Sequence, residues 1–120
     1  MDLISLSNGV SIPKAILGSF NVTDQYIIND MVKTSISEGI IGFDTSPSYG
    51  SEGILGNALI NAGIPREKVF ISDKIDAWQM YEGNGSIKKY VEKSMKDLRT
   101  DYLDLLLIHW PFPQYLESTW

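Results

Sequence analysis

Cysteine is absent from the 120 residues, which excludes disulfides, thiolate metal sites and a cysteine nucleophile, and nothing points to an oxidising compartment. The single histidine argues against a zinc site built on imidazoles. Positive charge is short. Ten Lys and Arg against fifteen Asp and Glu leave a formal net charge of -5, the wrong sign for a surface that tracks nucleic-acid phosphates. Long apolar runs are missing as well: Leu105 to Ile108 is far below the ~20 residues needed to span a bilayer. Met1-Asp2-Leu3-Ile4-Ser5 has neither the basic nor the apolar part of a secretory signal. A cytoplasmic protein with no nucleic-acid and no membrane partner is expected. Two Asn-x-Ser/Thr triplets, at Asn21 and Asn84, read as chance in such a chain, with Thr23 and Ser86 available as helix caps.

What is present is an ordinary globular composition, 43 % hydrophobic and 21 % charged, in a length that allows one domain over residues 1–120. Asn8-Gly9 between Leu3–Leu6 and Val10–Ile12 is the signal of a β-hairpin. Ala15–Phe20 reads as a strand. Thr23 then caps a helix whose apolar positions Ile27, Ile28, Met31, Val32 and Ile36 recur at helical spacing until Gly39. Ile40–Asp44 is a second strand, followed by a helix from about Ser51 with Ile54, Leu55, Ala58, Leu59 and Ala62 on one face and Gly63 as its stop. Lys68–Ser72 is a third strand. A helix capped by Ser86 carries Ile87, Tyr90, Val91, Met95 and Leu98, and Tyr102–Ile108 is the fourth strand.

Strand-helix units of roughly 30 residues have the length of right-handed βαβ crossovers, so the fold class is α/β with a parallel sheet. Periodicity leaves two closures open, a complete doubly wound sheet or part of an eight-unit barrel. In either, chemistry gathers where strands end: Gly18-Ser19-Phe20, then Asp44 to Gly50, then Asp73-Lys74, then His109-Trp110-Pro111. Each residue also has a plain reading. Asp44 suits an Asx-turn, Tyr49 an amphipathic loop, Lys74 a solvated strand end and His109 a hydrogen-bonded structural position.

Together they answer a chemical need. Protonating a carbonyl oxygen near neutral pH calls for an acid stronger than free tyrosine, and a neighbouring cation favours the phenolate. Lys74 is the candidate cation for Tyr49, Asp44 the anchor for Lys74, and His109 the group that orients the carbonyl. Phe20, Trp78 and Trp110 are candidates for an apolar substrate pocket. Gly50, Gly53 and Gly56 are spaced three apart, which is neither a dinucleotide fingerprint nor a P-loop. No nucleophile elbow occurs, and no metal site is expected.

The chain resembles the aldo-keto reductases along nearly its whole length. Leu6 to Pro13 looks like the family's opening hairpin, and Leu17-Gly18-Ser19-Phe20 like its first strand end. Phe43-Asp44-Thr45 to Tyr49-Gly50-Ser51-Glu52 is similar to D-T-A-x-x-Y-G-x-E, with Ser46 in place of the usual Ala and Ser51 where Asn is common. Ile64 to Ile71 followed by Lys74 resembles the approach to the family's lysine, and Asp101 to Pro111 resembles D-Y-[LI]-D-L-x-L-I-H-W-P. The resemblance implies the N-terminal half of a (β/α)8 TIM barrel preceded by a small β-hairpin. It also implies NADPH-dependent, metal-free reduction of aldehydes and ketones.

By the same resemblance the catalytic residues are Asp44, Tyr49, Lys74 and His109, with Tyr49 as proton donor. Gly18, Ser19, Phe20 and Asp44 lie near the cofactor, and Phe20, Trp78, His109 and Trp110 near the substrate. The match breaks off at Ser118-Thr119-Trp120, which reads as the start of a helix, so the expectation is a barrel truncated after its fourth strand. Residues that grip the nicotinamide and the adenosine phosphate lie on later strands in the family. The chain alone is therefore expected to bind NADPH weakly, to reduce carbonyls poorly or not at all, and to self-associate or need a complementing C-terminal half. The alternative expectation is a non-enzymatic α/β binding or assembly module that keeps half of the barrel.

Overall fold

The computed structural model describes residues 2–82 and 85–111; Asn84 and the helix expected from Ser118 lie outside them. A two-stranded antiparallel hairpin, β1 (Leu3–Ser5) and β2 (Ser11–Pro13), comes first. Gly9 at φ +85° turns the chain, Leu6 N–H donates to Val10 O at 2.7 Å, and the Asn8 side chain accepts from Val10 N–H. Then follow β3 (Ile16–Gly18), α1 (Gln25–Ser37), β4 (Gly42–Asp44), α2 (Glu52–Asn61), β5 (Phe70–Ile75), α3 (Ala77–Tyr81), α4 (Ser86–Asp97) and β6 (Leu105–Ile108).

β3, β4, β5 and β6 form one parallel sheet in that spatial order. This decides between the two closures. A doubly wound sheet reverses its strand order at a switch point, whereas strands laid down in chain order, each followed by its helix, wind in one direction as a barrel does. β3 and β6 are the two edges of the sheet among the described residues.

Side chains alternate across the strands and so sort into two faces. Leu17, Phe43, Ile71 and Val69 meet Ile28 and Val32 of α1 and Leu55, Ala58 and Leu59 of α2 in the main core. Ile75, Leu106 and Ile108 meet Met80, Ile87 and Val91 in a second one. The intervening positions Asp44, Ser72 and Lys74 share the opposite, concave face. α2 approaches the end of α4 so closely that a Cβ on Gly56 would meet Leu98 O at 2.6 Å. Glycine is the residue that this crossing admits.

Several boundaries differ from those read in the sequence. Asp24, not Thr23, caps α1: its Oδ1 accepts from Tyr26 N–H at 2.8 Å and Ile27 N–H at 3.1 Å. Gly85 at φ +77° is the residue before α4, and Ser86 is the first helical residue, its hydroxyl donating to Gln79 O. β5 runs on to Ile75, so Lys74 sits within the strand, and the short helix α3 follows at once.

The hairpin caps the far end of the sheet. Leu3, Ser11 and Pro13 line a small cavity with Ile41, Lys68 and Asp104, residues just before β4, β5 and β6. Arg66 fastens that end: it donates to Thr100 Oγ1 at 2.8 Å, Val69 O at 3.0 Å, Tyr102 O at 2.9 Å and Asp104 Oδ2 at 2.7 Å, with its guanidinium 3.9 Å from the Tyr102 ring centroid. The C-terminal ends of the strands are left to the site.

Candidate active site

Backbone bonds beyond the strand ends carry the ladder into the site. Ser19 N–H donates to Asp44 O (3.1 Å), Thr45 N–H to Ser72 O (3.0 Å) and His109 N–H to Ile75 O (2.9 Å). Four strand ends are thereby held side by side, although their residues are scattered through the chain.

At the centre lies the pair of Asp44 and Lys74. Lys74 Nζ donates to Asp44 Oδ1 at 2.8 Å, Asp44 Oδ2 at 2.7 Å and Thr45 O at 2.8 Å, and Ser72 Oγ donates to Asp44 Oδ1 at 2.8 Å. Three acceptors saturate the ammonium, which fixes a side chain that would otherwise be mobile. Tyr49 ends the 3-10 turn Pro47–Tyr49, closed by Gly50 at φ +69°, and its ring lies over the pair with Lys74 Nζ 4.8 Å from the centroid.

Three further rings complete a row. Phe20 meets Tyr49 edge-on at 5.1 Å between centroids, His109 meets it edge-on at 5.6 Å, and Trp110 stacks on His109 at 5.7 Å with planes 10° apart. Phe20 is 69 % exposed and Trp110 61 %. Apolar surface held open at a concave strand end is the form that small-molecule sites take.

The structure thus brings Asp44, Tyr49, Lys74 and His109 together with Phe20 and Trp110. Gly18 ends β3 beside them, with open space where a side chain would stand. Ser19 is buried: its hydroxyl donates to Asp44 O at 2.8 Å and lies 2.9 Å from Ser51 Oγ, which in turn is 3.1 Å from Thr45 Oγ1. These hydroxyls brace the loop that carries Tyr49. Trp78 turns its ring to Tyr90 on α4, edge-on at 4.9 Å, and lines a cavity of about 320 Å³ with Pro47, Gly50, Glu52 and Lys93, behind the Tyr49 turn.

Two acids went unassigned in the sequence reading. A third strand ending at Ser72 leaves Asp76 in a loop; with β5 reaching Ile75, the alternation Ser72, Lys74, Asp76 puts it on the side of the site. Its Oδ1 lies 2.7 Å from His109 Nδ1. Asp73 faces the helices instead and is fully buried. Burial, followed by the hydrogen bond and the charge of Glu52, raises its pKa from 3.8 to about 9, against the opposing pull of Lys74. Among the described residues Asp73 Oδ2 and Glu52 Oε1 are buried without a hydrogen-bond partner, and beside Glu52 the buried Asp73 favours its protonated form.

Residues 16–120 match the family model of the aldo/keto reductase family. The chain is 36 % identical over 119 residues to the glyoxal reductase of Bacillus subtilis, covering 99 % of this chain and 42 % of that protein. It is 38 % identical over 104 residues to the methylglyoxal reductase DkgB of Salmonella typhi, covering 87 % and 38 %. The chain therefore spans about two fifths of the length of these relatives. Among solved structures, an aldo/keto reductase from Brucella melitensis superposes with a TM-score of 0.85 at 32 % identity, over 99 % of this chain and 46 % of that one. The thermostable aldo-keto reductase Tm1743, crystallised with the inhibitor epalrestat, gives 0.87 at 30 % identity, over 99 % and 47 %. The sheet and its helices are thus the N-terminal half of a TIM barrel. No helix among the described residues is long and apolar enough to cross a membrane.

Proposed function

Because the chain belongs to the aldo/keto reductase family, we propose that it takes part in NADPH-dependent reduction of small aldehydes and ketones, with Tyr49 as the proton donor. The observation that carries this reading is the ammonium of Lys74, held by Asp44 and placed 4.8 Å from the Tyr49 ring centroid. A cation there stabilises the phenolate left when the proton has gone to the carbonyl oxygen. Asp44 keeps that cation oriented and its charge balanced. His109, edge-on to Tyr49, polarises the same carbonyl. Phe20 and Trp110 offer apolar surface that, covered by the substrate, keeps water from both interactions.

Reduced nicotinamide, when bound, supplies the hydride. The described residues fit one side of it: the open space at Gly18 and the exposed Phe20 ring border the mouth from β3. Among the described residues in contact at this mouth the one Lys or Arg is Lys74, already committed to Asp44. This half of the barrel therefore delivers the proton, and the phosphates are held from elsewhere. Strands that pair with the edges of β3 and β6, in a complementing C-terminal half, are part of the working site. The relatives' names point to glyoxal and methylglyoxal, so small dicarbonyl aldehydes are the substrates to try first. A reductase drawing on NADPH fits the cytoplasm.

The test is Tyr49→Phe in the complete enzyme. NADPH consumption with methylglyoxal should fall ~10²–10⁴-fold, the usual contribution of a general acid. NADPH affinity by fluorescence titration should be unchanged. Turnover retained in Tyr49→Phe overturns the assignment.

A further inference from the structure

His109 is held by a group outside the four residues discussed above. Asp76, at the junction of β5 and α3, is 3 % exposed, and its Oδ1 lies 2.7 Å from His109 Nδ1. Ser46 Oγ donates to Asp76 Oδ1 at 3.2 Å and Oδ2 at 3.4 Å and lies 3.2 Å from the same Nδ1, while Ser48 Oγ donates to Oδ1 at 3.4 Å. Among the described residues no Lys or Arg pairs with Asp76. A buried carboxylate needs donors; besides the Ser46 and Ser48 hydroxyls and the α3 capping contact to the Gln79 backbone, Asp76 has the His109 Nδ1 within reach. A carboxylate oxygen only accepts, so with Asp76 ionised the 2.7 Å contact carries its proton on His109 Nδ1.

That placement has a chemical consequence. A neutral imidazole protonated at Nδ1 has only a lone pair at Nε2, so it accepts hydrogen bonds there and cannot donate one to a carbonyl oxygen. Donation from Nε2 requires the imidazolium. In that form the ring stands between the Asp76 carboxylate at Nδ1 and the stacked indole of Trp110. The other charged or titratable groups facing His109 are Tyr49, edge-on, and beyond it Lys74, whose charge Asp44 balances.

We propose that Asp76 is a positioning residue for the reduction: it fixes the proton on His109 Nδ1 and holds the ring as an imidazolium that donates Nε2–H to the carbonyl oxygen. The inference rests on the reductase reading given above. It also predicts that kcat/KM declines as pH rises through the titration of His109, and that this limb depends on the Asp76 charge.

Asp76→Asn is the test, because Asn still accepts from Nδ1–H and still caps α3 but carries no charge. The whole enzyme, labelled with 15N-histidine, is titrated by NMR, with the His109 signals identified by their loss in His109→Gln. The neutral form should carry its proton on Nδ1. In Asp76→Asn the titration midpoint should fall, and the declining limb of kcat/KM should move down with it. A neutral ring protonated at Nε2 in the unsubstituted protein overturns the proposal without any variant. So does an unmoved midpoint in Asp76→Asn. If the midpoint moves while Tyr49→Phe keeps full turnover, the reductase reading has failed and the Asp76–His109 coupling stands.

Discussion

Replacing Asp73 with Asn tests the buried acid pair behind the site. Asp73 is 0 % exposed, and its pKa near 9 means that the folded protein holds a proton which the unfolded chain, at 3.8, has released. Between those values the folded state binds one proton more than the unfolded state. Stability therefore falls as pH rises, by at most about 1.4 kcal/mol per pH unit, and the contribution is fully present only below pH ~4. Over pH 5 to 8 the ceiling is about 4 kcal/mol, a large part of a typical folding free energy. Asn is neutral throughout, occupies nearly the same volume, and offers Glu52 an amide donor in place of the Asp73 carboxyl proton. Urea unfolding followed by circular dichroism should show the two proteins close at pH 5, and Asp73→Asn the more stable by about 2–4 kcal/mol at pH 8. Parallel stability curves for the two proteins across this range would refute the raised pKa of Asp73.

Two other substitutions follow from local geometry. Gly56→Ala puts a methyl group 2.6 Å from Leu98 O, against backbone that cannot swing aside; a loss of about 1–3 kcal/mol is expected in thermal unfolding, and no loss would show that α2 and the end of α4 are further apart. Asp24→Ala leaves Tyr26 N–H and Ile27 N–H without their acceptor, at a cost of ~1 kcal/mol. Asp24→Ser should recover most of it in urea unfolding, and equal stability of the Ala and Ser variants would show that the cap contributes nothing.

The expected elements correspond closely to what folds. Ile28, Val32, Leu55, Ala58 and Leu59, picked out by helical spacing, are all buried in the core with Phe43 and Ile71. Gly9 and Gly39 turn the chain at positive φ where turns were expected. Boundaries were less legible. Thr23 and Asp24 are both good caps, and which one wins depends on how the chain leaves β3. The third strand was closed at Ser72 because Asp73-Lys74 reads as a polar end. The fold tolerates these polar residues there since one face of the strand looks into the site and, on the other, Asp73 is buried beside Glu52 in its protonated form.

The amino-acid order alone determined the strand-helix alternation, the polar residues at strand ends and the family they resemble, because periodicity and turn chemistry are local and motif spacing is read along the chain. The singly wound strand order, the seat of Lys74 against Tyr49, the pairing of Asp73 with Glu52 and the carboxylate behind His109 were decided only in three dimensions. Each depends on which side chains from separate strands and helices share a face and how far they stand from water, and those quantities come into being when the sheet twists and the helices close over it.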